Sequence, residues 1–283
     1  MSDVAGRITG LFVYPIKGCA AVALAETIVE RRGLAHDRRW AVATPSGRVL
    51  TQREHPRLAR VHCGIKPDDG LDVQIDGVRL PAPSLGTGTM GDVRIWRDSV
   101  IAECFGGPLG EAFSALLGVP VQLVHFPETT VREVDRHWAP AGGETAFTDG
   151  FPLLVTNEAT LVQLDEQLVE LGAEPVPMSR FRPNVVVADM PAGAEDDHGE
   201  LRADSGLILD LVKPSERCIV LTIDQETGEP HGDQPLAILR QTRRHPVLKQ
   251  PVFGQNAVPR LTAGATGRLH VGSHVVLAGS GAA

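Results

Sequence analysis

Four stretches of the chain combine residue types that bind anions or soft metals. Tyr14-Pro15-Ile16-Lys17-Gly18-Cys19 carries a strand end into a turn. There Lys17 and the backbone N–H groups around Gly18 could receive an anion, although a lysine in a turn is also an ordinary solvated charge. Gly33-Leu34-Ala35-His36-Asp37-Arg38-Arg39-Trp40 places two arginines at the entry to a strand. The planar guanidinium forms paired, charge-assisted hydrogen bonds to phosphate. A plain structural reading, with Asp37 paired to Arg39 across the turn, fits the same residues.

Arg180-Phe181-Arg182-Pro183-Asn184 precedes a Val-rich run. Pro183 restrains Arg182 to an extended backbone, and Asn184 can both donate and accept, which suits the edge of a heterocycle or a polar strand cap. Last comes Lys213-Pro214-Ser215-Glu216-Arg217-Cys218 and its continuation to Gly228. Arg217 beside Cys218 favours a thiolate, the form that binds soft metals or attacks electrophiles, whereas an isolated cysteine on a strand is commonly an inert small hydrophobe. The polar turn Thr51-Gln52-Arg53-Glu54-His55-Pro56 reads as structural.

Most of the segments that must position these residues alternate or are β-branched. Strands are predicted over Ile8–Tyr14, Trp40–Thr44, Leu71–Ile75, Asp92–Trp96, Asn184–Val187, Leu207–Val212, Cys218–Ile223 and His274–Leu277. Asp76-Gly77 before Val78-Arg79-Leu80 is a two-residue hairpin turn. One helix is expected from Pro108 to Gly118, with Leu109, Phe113, Leu116 and Leu117 as its apolar stripe. A second runs from about Glu158 to Leu171 after the N-cap Asn157, with Leu161, Leu164, Leu168 and Leu171 on one face and Gly172 as its stop. Pro191–Glu200 reads as an exposed loop, and Pro127–Gly150 as a join between two halves. Many short strands separated by turn chemistry make the expected class β-rich α+β, a sandwich or barrel with a few helices, and the pattern divides the chain near residue 125.

Composition narrows the function. A net charge of −8, from 27 Lys plus Arg against 35 Asp plus Glu, argues against a general nucleic-acid binder. No apolar run approaches the ~20 residues of a membrane span. Met1-Ser2-Asp3-Val4 lacks the start of a signal peptide, so a cytoplasmic protein with reduced thiols is expected. Cys19, Cys63, Cys104 and Cys218 are widely spaced, which excludes zinc or iron–sulfur sites of ordinary spacing and a disulfide framework.

Taken in order, these motifs resemble the MOSC family, named for the C-terminal domain of molybdenum-cofactor sulfurases. The likeness is to two-part members with an N-terminal β-barrel domain, such as the mitochondrial amidoxime reducing component and bacterial MOSC hydroxylamine reductases. It rests on Tyr14-Pro15-Ile16-Lys17, Asp37-Arg38-Arg39-Trp40, Phe181-Arg182-Pro183-Asn184, and Arg217-Cys218 followed by Thr222, Asp224, Thr227 and Gly228, and on Phe253-Gly254-Gln255-Asn256. The resemblance implies an N-terminal MOSC β-barrel-like domain over 1–125 and a MOSC β-barrel domain over 126–283. It also implies a molybdenum-cofactor-dependent reductase of N-hydroxylated compounds: hydroxylamines, amidoximes and N-hydroxylated bases. Cys218 would be the molybdenum ligand. Lys17 and Arg38 would hold the terminal phosphate of the pterin cofactor, and Arg182 and Asn184 would orient the pterin. Asp149, in Thr148-Asp149-Gly150-Phe151-Pro152, would position substrate or handle protons.

Two positions depart from the family pattern. Gly18 stands where relatives often carry Ser, and Glu216 where some carry Ser. A carboxylate at 216 should point away from an anionic centre or titrate higher. No cluster cysteines precede Ala283, so a separate electron donor of ferredoxin, flavoprotein or cytochrome type is expected. The other function weighed is a non-catalytic cofactor-binding or sulfur-carrier protein, since MOSC domains also occur fused to sulfurases.

Overall fold

Alternating apolar residues close the main sheet into a barrel. The computed structural model describes residues 2–66, 70–262 and 264–279; Met1 and Ala283 lie outside them. Seven strands follow one another as Val185–Ala188, Leu153–Asn157, Val252–Arg260, Ile208–Glu216, Glu200–Ala203, His274–Ala278 and Val4–Val13. The last pairs back onto the first through Arg7–Leu11 against Val185–Ala188, and Val22–Leu24 extends the sheet at its edge. Neighbours are antiparallel except Leu153–Asn157 and Val185–Ala188, a parallel pair joined by the crossover helix Glu158–Glu170. Ile8, Leu11, Val13, Val155, Val185, Val187, Leu201, Leu209 and Leu277 fill the barrel. Val4–Val13, although first in the chain, is therefore a barrel strand, and a cut at residue 125 would open the barrel.

The intervening residues build a second core. A four-stranded sheet runs Trp40–Ala43, Gln122–His125, Asp98–Phe105, Thr89–Ile95, and a meander runs His62–Ile65, Leu71–Ile75, Val78–Pro81. The helix Gly107–Leu117 lays Leu109, Phe113 and Leu116 onto them. It has Pro108 in its first turn and stops at Gly118, whose φ is 71°. Asp76 and Gly77 form the expected hairpin turn with φ of 46° and 85°. Among the described residues no helix is long and apolar enough to cross a membrane.

The helix Glu158–Glu170 keeps its expected N-cap: Asn157 accepts a hydrogen bond from Ala159 N–H at 3.1 Å. Leu164 and Leu168 are buried, but Leu171 lies past the last turn and is exposed. The Asn157 amide also donates to Pro191 O at 2.8 Å and to Glu195 at 3.2 Å. Asn157→Ala is expected to lower stability by about 1–2 kcal/mol, read as a lower urea midpoint at unchanged m value.

Three expectations are corrected. Cys218–Ile223 is not a strand: Ile219–Thr222 form a 3-10 turn, closed by Leu221 N–H to Cys218 O at 3.1 Å and the Thr222 hydroxyl to Ile219 O at 2.8 Å. The preceding strand instead continues to Glu216, through register shifts flanking Lys213-Pro214, the kind of position where a sheet tolerates proline. Pro191–Glu200 is not a solvated loop. It contains the short helix Ala194–Asp197, and Glu195 is fully buried, where it accepts from Thr160 at 3.0 Å. Burial raises the pKa of that carboxyl. Nor is Pro127–Gly150 a bare linker. Buried Arg132 ties its two ends together by donating to Ala146 O and Thr148 O, both at 2.8 Å, and to Asp149 O at 3.3 Å.

Candidate functional site

Backbone pairing fixes the first two motifs against each other. Ile16 bridges Trp40, Lys17 N–H donates to Trp40 O at 2.8 Å, and Arg38 N–H donates to Tyr14 O at 2.9 Å. Asp37 is buried and takes Tyr14 N–H and the Arg38 guanidinium at 2.8 and 2.7 Å; Arg39 pairs instead with Glu30, so the expected Asp37–Arg39 pair does not form. Arg38 and Arg182, both with left-handed φ (50° and 55°), lie over the Tyr14 ring at 4.6 and 4.2 Å. The extended backbone expected of Arg182 before Pro183 is thus not found, because Arg182 caps the 3-10 turn Met178–Phe181. Tyr14 in turn donates its hydroxyl to Pro183 O at 3.1 Å, and burial pushes its pKa up to about 12.

These elements and the end of strand Ile208–Glu216 enclose a cavity of about 420 Å³ between the barrel and the second core. Lys17, Arg38, Asp149, Arg182, Asn184 and Cys218 all line it, so the six candidate site residues reach one space. Six cationic side chains (Lys17, Arg38, Arg53, Arg182, Lys213 and Arg217) face two carboxylates, Asp149 and Glu216. In a chain of charge −8 this is a concentrated positive field.

Each group has a definite setting. Lys17 is buried and reaches Asp149 at 2.5 Å, while the Asp149 side chain stays 70 % exposed. Desolvation acts to raise the Asp149 pKa. The Lys17 ion pair and hydrogen bond, with Arg38 and Arg53, outweigh it and hold the carboxyl well below the usual range. Burial lowers the Lys17 pKa, against the opposing pull of Asp149. Arg182 donates to Gln225 at 2.9 Å and Cys19 O at 2.8 Å. The side chain of Asn184 is largely committed to the protein: it donates to Phe12 O at 3.1 Å and accepts from Leu154 N–H at 3.1 Å and Arg38 at 3.3 Å. Asn184 thus joins two strands to Arg38 at the cavity wall.

Cys218 stands at the N-terminal end of the 3-10 turn, half-buried on the wall. Its neighbour Arg217 donates to Phe181 O at 2.7 Å and Ser215 at 2.9 Å, and its buried Nε has no partner. Burial brings the Arg217 pKa down to about 10. Burial also raises the thiols of Cys19, Cys63 and Cys104, Cys63 to about 12, and none of those three lines the cavity. Glu216 is paired with Lys213 at 2.8 Å. Gly18 adopts φ of 83°, where a Cβ would sit 3.2 Å from Leu58, so a serine there would be strained.

Two lining residues escaped the sequence reading. Trp96 donates its indole N–H to Asp149 at 3.2 Å, and Arg53 stacks 4.5 Å from the Trp96 ring. In sequence the polar turn around Arg53 reads as structural, and Trp96 as the end of a strand. Their only sequence signal is an aromatic at a two-residue hairpin tip. Phe253-Gly254-Gln255-Asn256 also reaches the site: Phe253 stacks on Phe181 at 3.9 Å, Gly254 has φ of 74°, and Asn256 lines the wall.

Comparison with known proteins matches two family models along the chain. Residues 5–120 match the model described as the MOSC N-terminal beta barrel domain, and residues 142–276 match the MOSC domain. A human relative, mitochondrial amidoxime-reducing component 1, is 30% identical over 275 residues, covering 88% of this chain and 77% of the relative. The chain belongs to the MOSC family. Other MOSC relatives include mitochondrial amidoxime-reducing component 1 of Danio rerio, 29% identical over 95% of this chain and 84% of the relative. Human mitochondrial amidoxime reducing component 2 is 28% identical over 88% of this chain and 78% of the relative. Among the described residues no group of three or more His, Cys, Asp or Glu could hold a metal. A metal in this MOSC chain therefore needs most of its ligands from a cofactor.

Proposed function

We propose that the protein is a molybdenum-cofactor-dependent reductase of N-hydroxylated compounds, with Cys218 as the protein's ligand to the metal. The observation that carries this reading is a single cysteine on the wall of a cavity lined by six cations and two carboxylates. A pterin dithiolene with a terminal phosphate is polyanionic and brings its own sulfur donors, so one protein thiolate completes the set. The unpartnered Arg217 Nε beside Cys218 is a further donor available to such a group. Lys17 and Arg38 would hold the phosphate. Arg182 would fix the pterin, with Asn184 bracing Arg38 beneath it. When bound, the cofactor supplies the two-electron chemistry; the protein binds, orients and excludes bulk water.

The net reaction takes R–NH–OH with two electrons and two protons to R–NH2 and water. The electrons come from a separate donor protein of ferredoxin, flavoprotein or cytochrome type. Asp149 is exposed enough to meet substrate, yet its depressed pKa keeps it ionised near neutrality. It would therefore accept a hydrogen bond from the substrate N–OH or N–H, and would not serve as a general acid. Asp149→Asn should raise KM for an amidoxime while any fall of kcat with rising pH between pH 5 and 8 stays in place. Loss of that alkaline limb in the variant would instead make Asp149 the proton donor. The function itself is tested by reconstituting the protein with cofactor and a chemical reductant and assaying benzamidoxime. Turnover to benzamidine supports it; a molybdenum-loaded protein inert on a panel of N-hydroxy compounds overturns it.

A further inference from the structure

Beside the main cavity lies a second one of about 290 Å³, and the two share Lys17, Thr51, Arg53 and Trp96. Its remaining wall includes Arg48, Glu54 and Arg94. Arg48 and Arg94 are held side by side by backbone pairing: they form a bridge in register, with Val49 N–H to Arg94 O at 3.0 Å and Arg94 N–H to Gly47 O at 2.8 Å. Like charges placed directly across neighbouring strands repel. Glu54 pairs with Arg48 at 2.7 Å, Arg53 lies over the Trp96 ring within the field of Asp149, and among the described residues Arg94 makes no ion pair. Four cations against one carboxylate line a space wide enough for a small anion.

Trp96 forms the partition. It occupies the first of the two turn residues between paired Ile95 and Asp98, with φ of 56°. Glycine ordinarily fills such a position, and a bulky residue there is strained. The strain places a 43 % exposed indole at the junction of the two cavities, with Arg53 over its ring and its N–H on Asp149. A flat ring could lie along this partition while an anionic group attached to it enters the smaller cavity.

We propose that the smaller cavity is a phosphate subsite, in which Arg48 and Arg94 hold the phosphate of an ester whose planar heterocycle lies along Trp96. Paired guanidinium groups suit the several acceptor oxygens of a phosphate monoester. The ester has two possible sources with the same chemistry: an N-hydroxylated nucleotide as substrate, or a nucleotide extension on the pterin phosphate. Its part in turnover rests on the reductase reading; its chemistry does not.

The test is binding of adenosine 5′-monophosphate and adenosine to the purified protein by calorimetry, alongside mass analysis of the cofactor released on denaturation. With a bare pterin phosphate or no cofactor, the nucleotide should bind at least roughly tenfold tighter, about 1.4 kcal/mol. Arg94→Gln should remove most of that preference, and in the unsubstituted protein an N-hydroxylated nucleotide should exceed its nucleoside in kcat/KM. If the released cofactor is a pterin dinucleotide, the extension is the occupant, and Arg94→Gln should reduce its retention. Equal binding of nucleotide and nucleoside with the dinucleotide absent overturns the subsite. So does a preference, or a dinucleotide retention, that survives Arg94→Gln. Failure of benzamidoxime turnover bears on the reductase reading alone.

Discussion

Cys218→Ala is expected to abolish reduction of N-hydroxy substrates and molybdenum retention together while leaving the fold intact. Cys218 contributes its backbone carbonyl to the 3-10 turn that follows, a bond that alanine keeps. Its half-buried side chain makes no hydrogen bond among the described residues, so stability should change by no more than about 1 kcal/mol. Activity should fall by more than about 100-fold, because groups that merely support a ligand already cost 10–100-fold when removed. Elemental analysis and a thermal melt, made on the same preparations, separate the two effects. Full activity, or unchanged molybdenum, in the variant would show that the thiol is not the ligand. A reduced melting temperature with metal retained would assign Cys218 a packing role.

Arg132→Met should be the most damaging change for stability. The Arg132 side chain is buried; it donates to the carbonyls of Ala146, Thr148 and Asp149 and pairs with Asp98 at 2.7 Å. Methionine matches much of the stem but leaves buried carbonyls without a donor. Removing one partner of such a network costs on the order of 3–5 kcal/mol. At roughly 2–4 °C per kcal/mol, the melting temperature should drop by about 6–20 °C. Asp98 is half exposed, so Asp98→Asn should cost less than about 1 kcal/mol. Equal losses in the two variants would mean that the ion pair, and not the carbonyl cluster, holds the segment. Arg132→Lys should remain destabilising, because an ammonium cannot span that set of acceptors.

The site was legible in sequence where charge and chemistry cluster locally. Lys17, Arg38, Arg182 and Cys218 each stand in a short motif, and Asp149 came only with the family resemblance. The cavity gathers all five although they are spread over some two hundred positions. What the sequence could not carry was direction. Asn184 looks like a ligand contact by type, yet its amide is spent on Phe12, Leu154 and Arg38. Trp96 looks like a strand residue, and only its left-handed φ turns it into a partition. Strands were legible from alternation, but barrel closure was not, since Val4–Val13 finds its partners in Val185–Ala188 and His274–Ala278. The run Cys218–Ile223 misled because β-branched residues suit a strand whether or not a neighbouring strand offers a free edge there.

The position of Val4–Val13 in the barrel has a consequence for biosynthesis. This strand leaves the ribosome long before one of its two barrel neighbours, His274–Ala278, is translated. Until then its apolar residues Ile8, Leu11 and Val13 lack their final cover, and the motif carrying Lys17 hangs from an unanchored strand. Pairings this remote in sequence slow folding. The barrel wall of the cavity therefore closes only after His274–Ala278 has been made, so any cofactor arrives after that strand, and until then the nascent protein depends on protection of Val4–Val13.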